Sequence, residues 1–515
     1  MASGVQAATT GVVRQPAFRR EVTLWETVGL SIAGASPTLA MAFSGPGIAV
    51  LVGRAAALSF VFAAVTVLCI GYAFMLLARK YNNAGNVYGF VGESIGSRSG
   101  FFAGWAMGLM YFVFVPGSIA ASAFFVLSLV NTFGWMKGDS YLIFAIPITL
   151  LVYAGGVAFV RRSTRVLLYI EAASVCLLTV IMIIVLVKVG AGHGLNGGHL
   201  TLSIFQLPTG ANIHDMVLGA VFGFIAFTGF EAAGALGEEA RNPERAVPRA
   251  IGISVVTIAI FYVACIAVQS LGFGATKSGA AAFASSSGPL FYLANAYVGP
   301  VFRDIILAGA AFSAFGAALS EVIAGARLVF GMTRDAAPTS MFARLTGRTG
   351  IPARGVILVI GINLICLVIL GGFLGANGFT SWQYLGTLGT LTILVGYLLV
   401  ALGAARAVIN GRLGVARWRG AVPILAAVAI LFTFYNELIP APAFPYNILP
   451  YIALVWLLAG LGLIVFAPGL AQRVGTGLLR DIRRAREAAA GDQDAAAAGL
   501  SSAGNPSQLG GPGAS

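Results

Sequence analysis

The sequence contains little charge for its length. Only 10% of its 515 residues are Asp, Glu, Lys or Arg, whereas soluble proteins carry about 25%. Hydrophobic residues make up 58% of the chain, and the mean hydropathy is +0.90. This composition excludes an ordinary soluble domain. It favours a chain that lies in a lipid bilayer, where charged side chains are costly.

Residues that support catalysis, metal binding or nucleotide binding are also scarce. The three histidines, His193, His199 and His214, fall in one loop, and the four cysteines occur singly within apolar runs. Neither pattern matches a zinc site or a CxxC pair. The phosphate-binding motif GxxxxGKS/T is absent from the sequence. We therefore expect no metal, no cofactor and no enzymatic activity, and ATP is not the expected driving force.

Long apolar runs fill most of the chain. A transmembrane helix needs about 20 residues, whereas a barrel strand needs about 10 residues of alternating polarity. Twelve runs have the helical length: 26–52, 57–78, 101–130, 141–160, 166–188, 216–236, 248–272, 304–330, 355–375, 383–404, 421–438 and 447–467. The sequence thus predicts an all-α, polytopic membrane protein with about 12 transmembrane helices.

Positive charges are distributed unevenly between the two sides of these spans. All but five of the 31 lysines and arginines fall on one side, the exceptions being Arg54, Lys137, Lys188, Lys277 and Arg303. Lys and Arg accumulate on the cytoplasmic side, so a multi-pass protein of the plasma membrane with both termini cytoplasmic is predicted. The net charge of +13 then reflects loops that face anionic lipid, and no nucleic-acid partner is expected.

The two ends differ from the apolar middle. Residues 1–20 lack a signal-peptide pattern and are predicted to form a cytoplasmic tail. Residues 471–515 are rich in Ala, Gly, Ser and Pro, so a largely disordered cytoplasmic tail is predicted there. The membrane domain is predicted to cover residues 21–470.

Two predicted spans contain helix breakers at corresponding positions. The first span is interrupted at GASP, residues 34–37, and the sixth at FTGF, residues 227–230. Because the two spans are five apart, the second copy would be inverted relative to the membrane. One such break is more often a simple kink. Two matched breaks are typical of secondary transporters, which bind a solute where backbone polar groups are exposed.

Acidic residues within the spans are functional candidates, because an ionisable group in the bilayer is costly. Glu231 lies beside the second break, where it could carry a proton, balance a cationic substrate or tie two helices together. Glu171 in the fifth span is a second proton-coupling candidate. Ser313 and Ser320 lie on one helix face and are weak candidates for a sodium site, although such serines often bond their own backbone.

Two stretches resemble a known family. FTGFEAAGALGEEARNPERAVPRA, residues 227–250, resembles the sixth span and following loop of the amino acid–polyamine–organocation superfamily. ARLVFGMTRD, residues 326–335, resembles its eighth span, although Ala336 and Ala337 depart from the turn that follows. The resemblance implies five-plus-five inverted repeats at about 24–190 and 216–405, with two extra helices at about 421–467.

The resemblance also implies a function. We expect a secondary active transporter for amino acids or related organic amines that works by alternating access, through proton-coupled symport or exchange. A polyamine or other cationic-amine transporter and a sodium-coupled symporter are the alternatives. A channel is less expected, because no repeated pore motif or ring of like charge is found.

Candidate site residues follow from the resemblance. The backbone of Gly34, Ala35 and Ser36 would hold a substrate carboxylate where one is present, and the carbonyl groups of Ile32, Ile225 and Thr228 would face the amino group. Phe227 and Phe230 would line the pocket. Ile225 stands where the family usually has an aromatic gate, which implies either a different gate, at Phe224 or Phe227, or a roomier site. Charged residues at the cytoplasmic ends of the spans are further gate candidates, as salt bridges that hold the inward side shut, or they are solvated loop charges. They are Asp335 with Arg334, and Glu238 and Glu239 with Arg241 and Arg245.

Overall fold

The computed structural model describes residues 23–81, 86–136, 140–157, 160–231, 243–337, 339–346 and 351–474. Within these ranges the regular structure is helical, without strands, which confirms an all-α chain there. The α-helices in chain order are α1 Leu24–Gly34, α2 Pro37–Val52, α3 Ala56–Ala78, α4 Asn86–Ser94, α5 Ser97–Thr132, α6 Leu142–Val157, α7 Val160–Gly190, α8 Ile213–Phe227, α9 Pro243–Phe273, α10 Lys277–Ser285, α11 Pro289–Tyr297, α12 Pro300–Ala336, α13 Ala353–Leu367, α14 Gly378–Ile409, α15 Ala421–Leu438 and α16 Leu449–Phe466.

Nine helical segments of the described ranges are long and apolar enough to cross a bilayer. The first of them, Leu24–Ala78, contains α1, α2 and α3, and the shorter apolar helices α6 and α8 accompany the nine. Large apolar side chains such as Val455 and Phe466 stay on the outer surface. An apolar outer surface on long helices is what a lipid environment requires. The chain is a polytopic helical membrane protein.

Three helices of nine residues, α4, α10 and α11, lie between the predicted spans. Hydropathy did not indicate them, because they are too short to cross a bilayer. Local capping explains one of them. The Thr276 hydroxyl accepts a hydrogen bond from the Gly279 N–H at 3.1 Å at the start of α10. Pro289 begins α11, at a position where its missing N–H costs nothing.

The first predicted break is present. Helix α1 ends at Gly34 and α2 begins at Pro37, with Ser36 between them at φ 44° and ψ 62°. This left-handed conformation is uncommon outside glycine. Pro37 cannot continue the hydrogen-bond ladder of α1 because it has no N–H, but it fits the first position of α2. The local sequence therefore accounts for the interruption.

The second predicted break is also present. Helix α8 begins after Asn212, whose side chain caps it in a reciprocal pair with Asp215, and it ends at Phe227. Thr228 then adopts φ −59° and ψ 134°, and Gly229 has a φ of 107°. A φ in this region favours glycine because it lacks a Cβ. Residues 232–242, which include Glu238, Glu239 and Arg241, lie outside the described residues.

Helix α5 packs along both α12 and α14, and glycines make the close approach possible. A Cβ on Gly325 of α12 would lie 3.0 Å from the Cβ of Tyr111, and one on Gly389 of α14 would overlap the ring of Phe114. Small residues at helix contacts allow such approach in membrane proteins. Consequently, Tyr111 packs closely against α12 and Phe114 packs closely against α14.

Helix α16 is joined to α5 by a pair of tryptophans. The rings of Trp105 and Trp456 stack with their centroids 4.5 Å apart. Each indole N–H donates to the backbone carbonyl of the other residue, at 2.8 and 2.9 Å. Ala471 and Val474, just beyond the predicted domain boundary at residue 470, are buried against Phe101.

Candidate substrate-binding site

The two helix breaks lie against each other. A Cβ on Gly229 would collide with the carbonyl group of Gly34 and lie 2.9 Å from the Ala35 nitrogen. The Ser31 hydroxyl donates to the Phe230 carbonyl at 3.0 Å, which ties α1 to the second break. Two interruptions far apart in the chain therefore form one region of non-helical backbone.

Helix α2 begins beside this region, and its first N–H groups have partners within the protein. The Thr38 N–H donates to Oε1 of Glu171 at 3.1 Å, and the Leu39 N–H donates to the Ser313 hydroxyl at 3.3 Å. The Ser36 N–H donates to the Ala33 carbonyl at 3.0 Å. Pro37 has no N–H to donate. Side chains of α7 and α12 thus cap the positive end of α2.

A cavity of about 170 Å³ opens at the breaks. It is smaller than the ~300–1,000 Å³ that is typical of sites for drug-sized ligands, which suits a small solute. Its walls come from α1, α2, α5, the end of α8, α12 and α14. The lining residues are Gly34, Ala35, Ser36, Leu39, Ala40, Met110, Tyr111, Phe114, Gly117, Ser118, Ile225, Thr228, Gly229, Glu231, Ala317, Ser320, Glu321, Ala324, Trp382 and Gly386.

Two carboxylates line this cavity, and none of its described lining residues is basic. Oε2 of Glu231 accepts hydrogen bonds from the Gly229 N–H at 3.0 Å and from the Tyr397 hydroxyl at 2.9 Å. Oε2 of Glu321 is buried and has no hydrogen-bond partner among the described residues. The electrostatic character of the cavity is therefore acidic.

Several of the residues expected at the site meet in this cavity. They are Gly34, Ala35, Ser36, Ile225, Thr228, Glu231 and Ser320. Glu171 and Ser313 lie at the start of α2 instead, where they cap its backbone. Ile32 is partly buried against the core and does not line the cavity.

The aromatic residues of α8 and of the second break do not line the cavity. Phe227 is buried against Phe60 and Tyr262, with ring centroids 6.2 and 5.2 Å away. Phe230 packs on Phe74 and Tyr397, and Phe224 is buried without lining the cavity. Neither Phe224 nor Phe227 lines this cavity, and their gate roles stay predictions. The side chain of Asp335, the third gate candidate, lies outside the described residues.

Sequence reasoning did not assign three aromatic residues and one acidic residue of the cavity wall to the site. Tyr111 and Phe114 of α5 and Trp382 of α14 line the cavity, but a lone aromatic residue in an apolar span carries no signal that separates core from site. Glu321 did carry a signal, because an acidic residue within a predicted span is a functional candidate by default.

A buried tyrosine forms a hydrogen bond with the backbone of the first break. The hydroxyl of Tyr262, a fully buried residue of α9, donates to the Ala35 carbonyl at 3.1 Å. Tyr262→Phe leaves that buried carbonyl without this donor, so we expect the free energy of unfolding to fall by about 1–3 kcal/mol. Unfolding in detergent measures the loss. Tyr169→Phe, at a residue that is 76% exposed, is the matched control, and equal stability of the two variants would contradict the prediction.

The fold and the acidic cavity at two helix breaks together describe a membrane transporter. The chain belongs to the amino acid permease family, whose model matches residues 28–466.

Curated relatives agree with this assignment. An uncharacterized transporter of Mycobacterium tuberculosis is 26% identical over 72% of this chain and 78% of its own length. The branched-chain amino acid permease BcaP of Lactococcus lactis is 24% identical over 71% and 75%. The low-affinity putrescine importer PlaP of Escherichia coli is 25% identical over 60% and 66%.

Proposed function

We propose that this permease carries an amino acid or a related organic amine by alternating access, with the cavity at the two breaks as the central site. The observation that carries the proposal is the close approach of Gly34 and Gly229, which brings the two interrupted helices together at one cavity. Interrupted helices in this arrangement present backbone groups to a solute. The names of the relatives, an amino acid permease and a putrescine importer, support the same range of solutes.

The proposed architecture has twelve spans. This number is the sum of two crossings within Leu24–Ala78, the eight other long apolar segments, and the shorter helices α6 and α8. The breaks fall in the first and sixth spans, which supports two inverted repeats of five spans followed by two extra helices. Both termini would be cytoplasmic in the plasma membrane, as the positive charges of the loops indicate.

Coupling to protons is the proposed driving force, with Glu231 as the proton site. Glu231 is 3% exposed, lies at the second break and contacts both the backbone of that break and Tyr397 of α14. Gain or loss of its proton changes these hydrogen bonds, because a protonated carboxyl can donate. Glu231 can thus link its protonation to the geometry of the break. Sodium coupling through Ser313 and Ser320 is the alternative.

Uptake into proteoliposomes tests the proposal. Labelled amino acids and amines are offered with an imposed pH gradient or with a sodium gradient. We expect the pH gradient to drive accumulation, and we expect Glu231→Gln to abolish this accumulation while leaving solute exchange in place, since an amide cannot carry a proton.

The matched control is Glu437→Gln, at a buried carboxylate of α15 that does not line the cavity. It should accumulate solute as the unchanged protein does. Accumulation driven only by the sodium gradient, or a Glu231→Gln variant that still responds to the pH gradient, would contradict the proton assignment. Absence of both accumulation and exchange for every solute would contradict the transport proposal itself.

A further inference from the structure

Two pairs of helices meet on one side of the cavity. Helix α2 packs on α8 and α5 packs on α14, and all four contribute to the cavity wall. In the proposed topology this side faces outward, because α2 runs from the first break towards an extracellular loop. Entry from outside requires the pairs to separate. The ring of Phe43 in α2 lies between them, with its centroid 4.6–5.5 Å from those of Phe124, Phe125, Phe379 and Trp382 in α5 and α14.

A second contact between the pairs lies at Gly47 of α2. A Cβ on Gly47 would be 2.9 Å from the ring of Phe222 in α8 and 3.0 Å from Nε2 of Gln383 in α14. The side chains of Phe222 and Gln383 are both buried. Trp382, the neighbour of Gln383, lines the cavity. We call Gly47, Phe222 and Gln383 the outer contact, since they meet on the outward side of the cavity.

A residue from beyond the proposed repeats completes the outer contact. Tyr446 lies in the connection between α15 and α16. Its hydroxyl donates to Oε1 of Gln383 at 3.2 Å. Its ring meets the ring of Phe222 edge-on with the centroids 5.8 Å apart, and that of Tyr384 in α14 with the centroids 5.3 Å apart. One side chain thus contacts α8 and α14 at the same time.

These contacts of Tyr446 depend on the closed outer side. When α8 and α14 separate, one side chain does not stay against both helices. An interaction that is made in one conformation and lost in the other shifts the equilibrium towards the first. Hydrogen bonds and edge-on aromatic pairs both contribute measurably when buried.

We infer that Tyr446 is a positioning residue for transport: it holds the outer contact closed, so that the connection between the last two helices controls how often the cavity opens outward. This inference rests on the proposed function and on its topology. Tyr446 does not line the cavity, and its effect is on the equilibrium between conformations rather than on the solute.

Labelling of a cysteine placed in the cavity measures outward opening. Ala40 lines the cavity and is 3% exposed, so Ala40→Cys reacts with a membrane-impermeant maleimide added to intact cells when the outer side opens. The chain without this substitution gives the background from the four native cysteines. When the closed conformation dominates, the labelling rate is proportional to the open fraction. The Ala40→Cys protein is the reference for the variants that follow.

Tyr446→Phe keeps the ring and removes the hydrogen bond with Gln383. We expect labelling at position 40 to become faster by roughly 2- to 10-fold, as for the loss of one hydrogen bond. Tyr446→Ala also removes the ring contacts and should add a further increase of roughly 2- to 10-fold. Tyr451→Phe, at a tyrosine of α16 that is 56% exposed, is the matched control and should label at the rate of the reference.

Gln383→Met tests the hydrogen bond from its other side. Methionine has a similar length but lacks the amide oxygen that accepts from Tyr446. We expect this variant to label faster than the reference. We expect the combination with Tyr446→Phe to label no faster than Gln383→Met alone, because the two substitutions remove the same bond. Fully additive effects would overturn the assignment to this pair.

The outcomes separate the inference from the function on which it rests. Labelling that is as slow in Tyr446→Phe and Tyr446→Ala as in the reference would overturn the inference, even if both variants melted at a lower temperature. A tyrosine that only stabilises the fold changes the melting temperature and leaves the open fraction unchanged. If labelling depended on Tyr446 but no solute were bound or transported, the proposed function would fail while the role of Tyr446 in closing the outer contact would stand.

Discussion

Gly229→Ala is expected to abolish measurable accumulation of solute. Gly229 has a φ of 107°, which costs an alanine ~1–2 kcal/mol. Its new Cβ would also collide with the backbone carbonyl of Gly34, which is not a flexible side chain that can move away. Relief of this collision requires the two breaks to separate, and the cavity between them would change shape. Uptake into proteoliposomes and the elution profile of the purified protein check the prediction.

Gly210→Ala is the matched control for this substitution. Gly210 has a similar φ of 99°, but no heavy atom lies within 4 Å of the Cβ that alanine would add. It therefore carries the backbone strain without the collision. We expect Gly210→Ala to transport nearly as the unchanged protein does. Equal transport by the two variants would show that close contact between the breaks is not required.

Glu171→Leu is expected to destabilise the protein and to lose transport. The Thr38 N–H at the start of α2 would lose its acceptor within a membrane-spanning region, where water does not replace it. An unsatisfied buried donor costs about 1–3 kcal/mol, and leucine adds no polar atom that could compensate. Unfolding in detergent and uptake of labelled solute measure the two effects.

Glu171→Gln separates the hydrogen bond from the charge. Glutamine keeps a side-chain oxygen that can accept from the Thr38 N–H and removes the negative charge. We expect this variant to stay close to the unchanged protein in stability. If Glu171→Gln were as unstable as Glu171→Leu, the charge of Glu171, rather than its role as an acceptor, would hold the start of α2.

The membrane character and the helix positions were predictable from the sequence. Low charge and long apolar runs predict membrane helices because the bilayer requires about 20 apolar residues per crossing. The run at 421–438, for example, corresponds to α15 at Ala421–Leu438. The short helices α4, α10 and α11 were not predicted, because hydropathy over a long window does not detect them.

Both breaks were also predictable, since their causes are local. Pro37 lacks the N–H that α1 would need to continue, and Gly229 permits a φ that other residues rarely adopt. The unwound backbone at these positions therefore follows from the residues themselves. The backbone part of the candidate site, at Gly34, Ala35, Ser36 and Thr228, accordingly lies in the cavity.

The side chains that complete the cavity were decided by tertiary structure. A helix that is apolar on every side has no polar face to indicate which of its sides faces the cavity. Its rotation about its own axis therefore depends on the helices that pack against it. Phe227 and Phe230 point into the core, whereas Tyr111 and Trp382 line the cavity. Nothing in the sequence distinguishes these two pairs.

Tertiary structure also decided the positions of the acidic residues. Glu171, Glu231 and Glu321 are all acidic residues within apolar spans. Glu171 caps α2, whereas Glu231 and Glu321 line the cavity, and Glu231 also contacts the second break. These roles depend on contacts between helices that are far apart in the chain. The sequence by itself thus determined the membrane fold class and the two breaks, which arise from local chemistry. Tertiary structure decided which charges face a solute, because only helix packing brings them together.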